Sequence, residues 1–240
     1  LRHMETSMRT LVITGASKGI GLATASLFCD AGYDVFNFSR TKCPDSRVIS
    51  YAIDLGDSEA EEHIRESLDE TVEEETEVCL VHNAAAMVVD NAREANPDVL
   101  SKVLRINVIA PVIFNQHLIK KMKPGSSIIY IGSTLSEKGV PNSFSYVTSK
   151  HAVLGLTRST CQDLVGMEIH TCCVCPGFTD TEMLRAHVSN DKEILSSLSS
   201  LSTFGRLIDP KEIADTVLFA AKNPVLNGAI MHANLGQIES

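Results

Sequence analysis

The stretch TLVITGASKGIG, residues 10–21, determines how the rest of the chain is interpreted. Its apolar run, residues 11–13, has no polar alternation, which is typical of a strand buried on both faces of a parallel sheet. Gly15, Gly19 and Gly21 follow, and apolar residues then recur at helical spacing. The pattern predicts a strand, a glycine turn and a helix N-terminus, where unpaired N–H groups attract a phosphate such as that of a dinucleotide.

Chain length and composition limit the classes of protein to consider. The chain has 240 residues, a size at which α/β folds commonly form one domain with a substantial core. No apolar run in the sequence is long enough to span a bilayer, and no apolar signal region follows the N-terminal LRHM. We therefore expect residues 1–8 to be a disordered expression remnant, residues 9–240 to form one domain, and the protein to be cytoplasmic without a membrane partner.

Seven cysteines, an odd number, lie mostly within apolar patterns and are not spaced for loops or metal sites. This usage is typical of a reducing compartment. Cys172, Cys173 and Cys175 are close enough in sequence to suggest metal ligands, but adjacent strand residues point to opposite faces and no second ligand pair is nearby. We therefore expect structural thiols and no metal.

The net charge of −9 is concentrated in residues 57–77, where eleven acidic residues and one arginine give −10 and leave +1 for the rest of the chain. Ala60, Ile64, Leu68 and Val72 form a narrow apolar stripe in this segment, which predicts a solvated outer helix. An acidic docking face is the alternative. No basic stripe with interleaved aromatic residues occurs, so we expect no nucleic-acid partner.

Strand and helix patterns alternate along the chain, which predicts an α/β fold, a Rossmann-type doubly wound parallel sheet. Strands are predicted at residues 11–13, 34–39, 48–53, 78–81, 127–131, 169–175 and 229–233, and helices at residues 97–122, 144–165 and 210–222. Helices 97–122 and 144–165 carry apolar residues on more than one face. We therefore expect them to form the interface of a homodimer or homotetramer.

The sequence YVTSK, residues 146–150, places a phenol and an amine one helical turn apart on the same face. Free tyrosine titrates near pH ~10, and a neighbouring ammonium favours the phenolate. Tyr146 is therefore a candidate general acid/base. Such a pair also arises by chance, but Ser133 follows the fifth strand at the carboxyl edge of the sheet, where these folds bind ligands. Its hydroxyl is placed to bond a substrate oxygen.

These motifs occur in an order that resembles the short-chain dehydrogenase/reductase family across residues 10–236. Its TGxxxGxG glycine spacing, NAA element, YxxxK motif and Pro-Gly after the sixth strand all have counterparts here. The resemblance implies four catalytic residues, Asn107, Ser133, Tyr146 and Lys150. It also implies cofactor binding by residues at the carboxyl edge of the sheet, namely Gly15, Ser17, Lys18, Gly19, Ile20, Gly21, Ser39, Arg40, Asp54, Leu55, Asn83, Ala84, Ala85, Tyr146, Lys150, Pro176, Gly177, Thr179 and Thr181.

The resemblance further implies hydride transfer between a nicotinamide C4 and a carbonyl or alcohol carbon of a small molecule. Tyr146 would protonate the carbonyl oxygen, and Ser133 would position it. Lys150 would favour the phenolate and hold the nicotinamide ribose. Asn107 would anchor a water that links Lys150 to solvent.

Some positions match the family and others depart from it. Asp54 would contact adenine and Thr181 the nicotinamide carboxamide, while Thr179 replaces an aliphatic residue. Residues 40–46 form a short connection where most members have a helix, which leaves the adenine side more open. Residues 233–236 read ANLG instead of VDGG, which affects the expected turn but not the chemistry.

The sequence NFSR at the end of the second strand favours NADP(H) over NAD(H). Folds that select NAD usually place there an acid that binds both ribose hydroxyls and repels a 2′-phosphate. This chain has Ser39, followed by Arg40, which can pair with the phosphate and stack on adenine. Lys18 can reach the same phosphate. Asp45 is the nearby residue that would oppose the preference.

Two other functions stay open, an NAD-dependent alcohol dehydrogenase and a dinucleotide-sensing protein without catalysis. The substrate is also open, because a 3-oxoacyl thioester, a steroid-like ketone and a sugar-derived carbonyl all fit the motifs. Residues 183–207 combine leucines and serines with Met183 and Phe204. This texture predicts a mobile, mostly apolar lid over the site.

Overall fold

The computed structural model describes residues 9–238, so the prediction for residues 1–8 lies outside the described residues. Seven parallel strands form one sheet in the order β3-β2-β1-β4-β5-β6-β7. Their bounds are Arg9–Thr14, Asp34–Ser39, Ile49–Ala52, Glu77–His82, Ser127–Ile131, His170–Pro176 and Ala229–Ala233 for β1 to β7. The predicted doubly wound parallel sheet is confirmed.

Eight α-helices flank the sheet within the described chain. Their bounds are Gly19–Asp30, Ala60–Thr71, Pro97–Leu104, Ala110–Leu118, Phe144–Asp163, Glu182–His187, Lys192–Ser200 and Pro210–Lys222 for α1 to α8. A π-helical turn, Arg105–Ile109, joins α3 to α4. The prediction of one uninterrupted helix over residues 97–122 is therefore wrong at this turn. The turn contains Asn107, one of the predicted catalytic residues.

The central strand β1 separates two layers of core. Leu11, Val12 and Ile13 are fully buried. Val12 faces a cluster that includes residues of α2, α4 and α5, while Leu11 and Ile13 face a second cluster that includes residues of α1 and α8. Because both faces of β1 are covered by apolar side chains, its sequence has no polar alternation.

Three predictions about individual segments can be compared with the structure. Residues 40–48 contain no helix, as expected. The acidic segment forms α2, with Ala60, Ile64 and Leu68 buried and the acidic side chains mostly outside. In α5, Val153 and Leu154 are buried inside the subunit, so the apolar surface of that helix is smaller than its sequence suggests.

All seven cysteines are free thiols, and five of them are buried. Within residues 9–238, no group of three or more His, Cys, Asp or Glu side chains is arranged to hold a metal ion. In the same part of the chain, no helix combines the length and the apolar character needed to cross a membrane.

Candidate active site

The glycine turn after β1 depends on residues without a side chain. Gly15 and Gly19 have φ values of +75° and +56°, in the left-handed region that disfavours other residues. A Cβ on Gly21 would lie 2.2 Å from the Gly15 carbonyl oxygen. The first turn of α1 therefore packs directly against the loop, and the backbone is left open toward a ligand.

Thr14 and Asn83 hold this loop against the end of β4. Thr14 Oγ1 accepts hydrogen bonds from the Asn83 and Ala84 N–H groups at 3.1 and 3.0 Å. Asn83 Nδ2 donates to the Thr14 and Gly15 carbonyls, each at 3.0 Å. The Asn83 side chain thus builds the loop. Thr14, the threonine of the TGxxxGxG motif, was not predicted as a site residue, and the structure shows that it holds the loop against Asn83 and Ala84.

The N-terminus of α1 has the features of a phosphate site. Lys18 is its N-cap residue and provides no side-chain cap, so the first N–H groups of a 12-residue helix have no side-chain acceptor. These N–H groups and the positive end of the helix dipole favour an anion. Together with the open glycine backbone, this cradle fits the pyrophosphate of a dinucleotide.

The end of β2 is organised by a buried asparagine. Asn37 Oδ1 accepts from the Ala16 N–H at 2.8 Å, and Asn37 Nδ2 donates to Ser39 Oγ at 2.9 Å. Ser39 Oγ in turn donates to the Thr41 carbonyl at 2.7 Å. The Ser39 proton is therefore already used, whereas the exposed Arg40 has no hydrogen bond or ion pair within residues 9–238.

Asp45 does not pair with Arg40. Its carboxylate accepts hydrogen bonds from Arg47 at 2.7 and 3.0 Å and from the Ser26 hydroxyl at 2.8 Å. The Arg47 hydrogen bonds, helped by Ser26, hold the pKa of Asp45 well below its usual range. Arg47 therefore engages Asp45, the acid that would otherwise oppose a 2′-phosphate.

Tyr146 and Lys150 lie on α5 beside the end of β5. Tyr146 is 9% exposed and Lys150 is 3% exposed. Lys150 Nζ donates to the Ile131 carbonyl at 2.7 Å and lies 5.6 Å from the centroid of the Tyr146 ring. The Tyr146 hydroxyl has no hydrogen-bond partner among the described residues. The ammonium is therefore fixed near the phenol while the hydroxyl stays available.

The start of α5 is fixed by a carboxylate from a distant loop. Asp90 accepts hydrogen bonds from the Ser145 N–H at 3.0 Å and from the Ser145 hydroxyl. The Asp90 carbonyl also accepts from the Phe144 N–H at 3.2 Å. These bonds place the turn of α5 that carries Tyr146. Asp90 was not predicted, because its partner is 55 residues away in sequence.

Asn107 lies in the π-helical turn and joins three parts of the site. Its Oδ1 accepts from the Ala86 N–H at 2.7 Å, while its Nδ2 donates to the Ala86 carbonyl at 3.0 Å and to Ser149 Oγ at 2.9 Å. Both side-chain polar atoms thus have protein partners. The predicted water beside Asn107 stays a prediction.

Ser133 caps the short 3₁₀ helix after β5. Its Oγ accepts from the Leu135 N–H at 3.1 Å, and its own N–H donates to Ser136 Oγ at 3.1 Å. The Ser133 hydroxyl proton has no acceptor among residues 9–238. It remains free to donate to a substrate oxygen.

The segment after β6 packs against both the glycine loop and the C-terminal turn. A Cβ on Gly177 would lie 2.9 Å from Asn234 Cα, and one on Gly19 would lie 3.2 Å from Thr181 Cγ2. Thr181 is the N-cap of α6 and accepts from the Leu184 N–H at 3.2 Å. Gly236 keeps a positive φ of +62°, so the ANLG sequence still forms a tight turn.

His82, at the end of β4, belongs to a buried polar network behind the site. Its Nε2 lies 2.9 Å from Asn115 Oδ1, and Asn115 Nδ2 donates to the Tyr130 hydroxyl at 2.7 Å. His82 Nδ1 is buried without a partner among the described residues. Burial lowers the pKa of His82 to about 4, so the imidazole is neutral near pH 7.

One cavity of about 1350 Å³ connects these elements along the carboxyl edge of the sheet. The predicted cofactor residues all line it, and so do Ser133, Tyr146 and Lys150. Asn107 is the one predicted site residue that does not line this cavity, because its side chain is buried. The arrangement brings a phosphate cradle, a fixed ammonium and two free hydroxyls to one continuous space.

Known proteins resemble this chain over almost its whole length. A family model described as enoyl-(acyl carrier protein) reductase matches residues 15–237. An uncharacterized oxidoreductase of Thermotoga maritima is 29% identical over 242 residues, which cover 95% of this chain and 96% of that protein. The 3-oxoacyl-[acyl-carrier-protein] reductase FabG of Vibrio harveyi is 27% identical over 243 residues, 97% of this chain and 98% of its own.

A solved structure agrees with these sequence matches. The angucycline C-6 ketoreductase LanV with bound NADP superposes with a TM-score of 0.83 at 26% identity, over 95% of each chain. The match therefore covers the sheet, both helix layers and the cavity edge rather than a local motif.

Proposed function

The chain belongs to the short-chain dehydrogenase/reductase family, and from this membership we propose that it is an NADP(H)-dependent oxidoreductase. It transfers hydride between the nicotinamide and a small-molecule carbonyl or alcohol, with Tyr146 as general acid/base. The observation that carries the proposal is the free hydroxyl of Tyr146, which faces the cavity while Lys150 is fixed beside it by Ile131. A tyrosine with a purely structural role would be expected to have its hydroxyl bonded to the protein.

The residues of the site divide the chemistry between them. Ser133 donates a hydrogen bond to the substrate carbonyl oxygen, which orients the carbonyl and stabilises the negative charge that develops there. Tyr146 gives its proton to the same oxygen, and the nearby Lys150 ammonium favours the phenolate that remains. Two of the three Lys150 N–H donors stay available for a ribose hydroxyl, because Ile131 takes one.

The site residues fit a nicotinamide dinucleotide, which when bound supplies or accepts the hydride. In the reduction, the carbonyl oxygen would take the Tyr146 proton as the carbon accepts the hydride, so a ketone would become an alcohol. Tyr146 recovers its proton from solvent through Lys150. The oxidation of an alcohol follows the same steps in reverse.

The preference for NADP(H) rests on charge at the end of β2. Arg40 is exposed, lines the cavity and has no protein partner within residues 9–238. Lys18 stands at the other side of the same opening, and Asp45 is neutralised by Arg47. A 2′-phosphate would thus meet cations without a competing acid. Ser39 contributes by its small size, since its hydroxyl bonds Thr41.

In this proposal the segment after β6 acts as a lid over the cavity. It comprises α6, α7 and the residues up to 207, and the structure buries no residue of either helix. A segment with so little burial opens at low cost. The exposed apolar residues of α3 and α4 support a homodimer or homotetramer, with α5 as its second helix.

A dinucleotide-sensing protein without catalysis is the second candidate. Turnover by the wild type decides between the two, and Tyr146→Phe tests the acid/base assignment. With NADPH and a neutral ketone, we expect kcat to fall by about 10² to 10⁴ in this variant, because the proton donor is lost. NADPH affinity, followed by its fluorescence, should stay within a few fold. Lys150→Ala should lose both turnover and cofactor affinity.

The control variant is Tyr51→Phe, since the Tyr51 hydroxyl accepts a hydrogen bond from Thr71 and neither residue lines the cavity. It should keep the kcat of the wild type. Retention of most of kcat by Tyr146→Phe would remove the acid/base assignment, and absence of turnover in the wild type with intact NADPH binding would favour the sensing protein.

A further inference from the structure

The cavity has a second part beyond Tyr146 and Ser133, formed by residues 135–143 and by α6 and α7, which we call the substrate lobe. Its wall is mainly apolar. Six of its side chains are Leu135, Val140, Met183, Leu184, Ile194 and Leu198. The substrate that binds beside the Tyr146 hydroxyl therefore meets hydrocarbon over most of this surface.

The cations of the cavity wall all lie on the cofactor side. Lys18 belongs to the glycine loop and Arg40 to the end of β2. Lys102 reaches across to Gly56, where a Cβ would lie 3.0 Å from its Cε. Lys150 is bonded to Ile131, at the base of the catalytic residues.

Lys138, Arg185 and Lys192 belong to these elements but do not line the cavity, so within the described chain His187 is the one basic side chain of the lobe wall. A carboxylate or phosphate group on the substrate would lose its hydration there without gaining a fixed positive partner. Transfer of an unpaired charge into such surroundings is costly.

The lid helices add a second observation. Ile194 is 43% exposed and Leu198 is half-buried, although both line the lobe. Met183 and Leu184 of α6 are half-buried as well. Apolar side chains that face a cavity without being covered gain free energy when apolar ligand surface removes them from water. The lobe is thus complementary to hydrocarbon.

We propose, on the basis of the oxidoreductase function above, that the substrate is a neutral ketone, or its alcohol, with an extended apolar substituent. The substituent packs under α6 and α7, and keto acids and sugar phosphates are excluded. The specificity comes from Ile194, Leu198 and their neighbours and from the absence of a cation in the lobe.

The charge requirement is tested with two pairs, ethyl benzoylformate against benzoylformate and ethyl levulinate against levulinate, in which the ester removes the charge and adds one ethyl group. The two added carbons account for a gain of only about 9- to 16-fold. We expect kcat/KM with NADPH to be at least 100-fold higher for each ester. Equal or better use of the acids would overturn the substrate class while leaving the reductase function intact.

The apolar requirement is tested with 2-alkanones from 2-butanone to 2-octanone. We expect kcat/KM to rise about three- to four-fold per added methylene, the gain for burying one such group. The double variant Ile194→Ser with Leu198→Ser should flatten this dependence. Ser196→Ala, on the exposed side of the same helix, should preserve it. A flat dependence in the wild type would overturn the proposal.

Binding separates failure of this proposal from failure of the function. The Tyr146→Phe protein saturated with NADPH is titrated with ethyl benzoylformate and with benzoylformate by calorimetry. Tighter binding of the ester supports the substrate class even without turnover. No binding of the ester, or equal binding of the acid, overturns it.

Discussion

Asn107 Nδ2 donates a hydrogen bond of 2.9 Å to Ser149 Oγ, which ties the π-helical turn after α3 to the helix that carries Tyr146 and Lys150. Ser149 Oγ in turn donates a hydrogen bond of 2.7 Å to the Tyr146 carbonyl. Since Asn107 also bonds both backbone groups of Ala86, one side chain joins the end of β4 to α5. Asn107 does not line the cavity, and we propose that it is a positioning residue.

The first prediction concerns this link. Asn107→Ala should reduce the free energy of unfolding by about 1–3 kcal/mol, because the part-buried Ala86 N–H loses its acceptor and the buried Ser149 Oγ loses a donor. It should also lower kcat through displacement of α5, with a smaller change in the KM for NADPH. Urea unfolding and steady-state kinetics measure the two effects.

Ser149→Ala is the graded control for Asn107→Ala. It removes the bond to Asn107 and the bond from Ser149 Oγ to the Tyr146 carbonyl, and it leaves the two bonds between Asn107 and Ala86. Its loss of kcat should be smaller. A larger effect from Ser149→Ala, or none from either variant, would contradict a positioning role for Asn107.

The second prediction concerns stability at mildly acidic pH. The pKa of His82 is about 4 in the folded protein against about 6.5 when unfolded, so the unfolded chain binds a proton first as pH falls. The stability that neutral His82 provides is complete above about pH 6.5 and is lost toward pH 4. Between pH 7.5 and 5 the free energy of unfolding should fall by about 2 kcal/mol from this residue.

Urea denaturation at several pH values tests this prediction against two variants. His82→Gln keeps a donor for Asn115 but cannot titrate, so it should lose that part of the pH dependence. His151→Gln removes an exposed imidazole and should keep it. An unchanged pH profile in His82→Gln would refute the assignment.

The third prediction concerns oligomerisation through the outer face of α3 and α4. Ile109 and Val112 are 44% and 42% exposed on this face. We expect a dimer or tetramer by light scattering at micromolar concentration, and Val112→Asp should shift it toward the monomer. Val225→Asp, at a 90% exposed valine elsewhere, should leave the mass unchanged. A monomeric wild type would contradict the proposal.

Sequence patterns predicted the parts of the fold that depend on local order. The bounds of β2, β5, β7 and α8 agree with the predicted ones, because apolar runs there end at polar or turn residues and Pro210 starts the helix. The catalytic motifs likewise occupy short segments whose spacing carries their geometry.

Contacts between distant segments could not be predicted in the same way. The π-helical turn interrupts the helix at Arg105–Ile109, where Asn107 bonds the Ala86 backbone, and the apolar periodicity of residues 97–122 does not reveal it. The hydrogen bond from the Ser145 N–H to Asp90 and the bond from the Asn83 N–H to Thr14 also join residues that are distant in sequence. Each is a single polar residue whose partner becomes a neighbour only in the sheet.

The most direct test of the account is the comparison of kcat/KM for NADPH and NADH in the wild type, Arg40→Ala and Lys42→Ala. Lys42 is an exposed cation two residues further on that does not line the cavity. We expect the wild type to prefer NADPH. This preference should fall ten-fold or more in Arg40→Ala, a loss of roughly 1.4 kcal/mol or above in transition-state stabilisation, and it should stay unchanged in Lys42→Ala. A wild-type preference for NADH would contradict it.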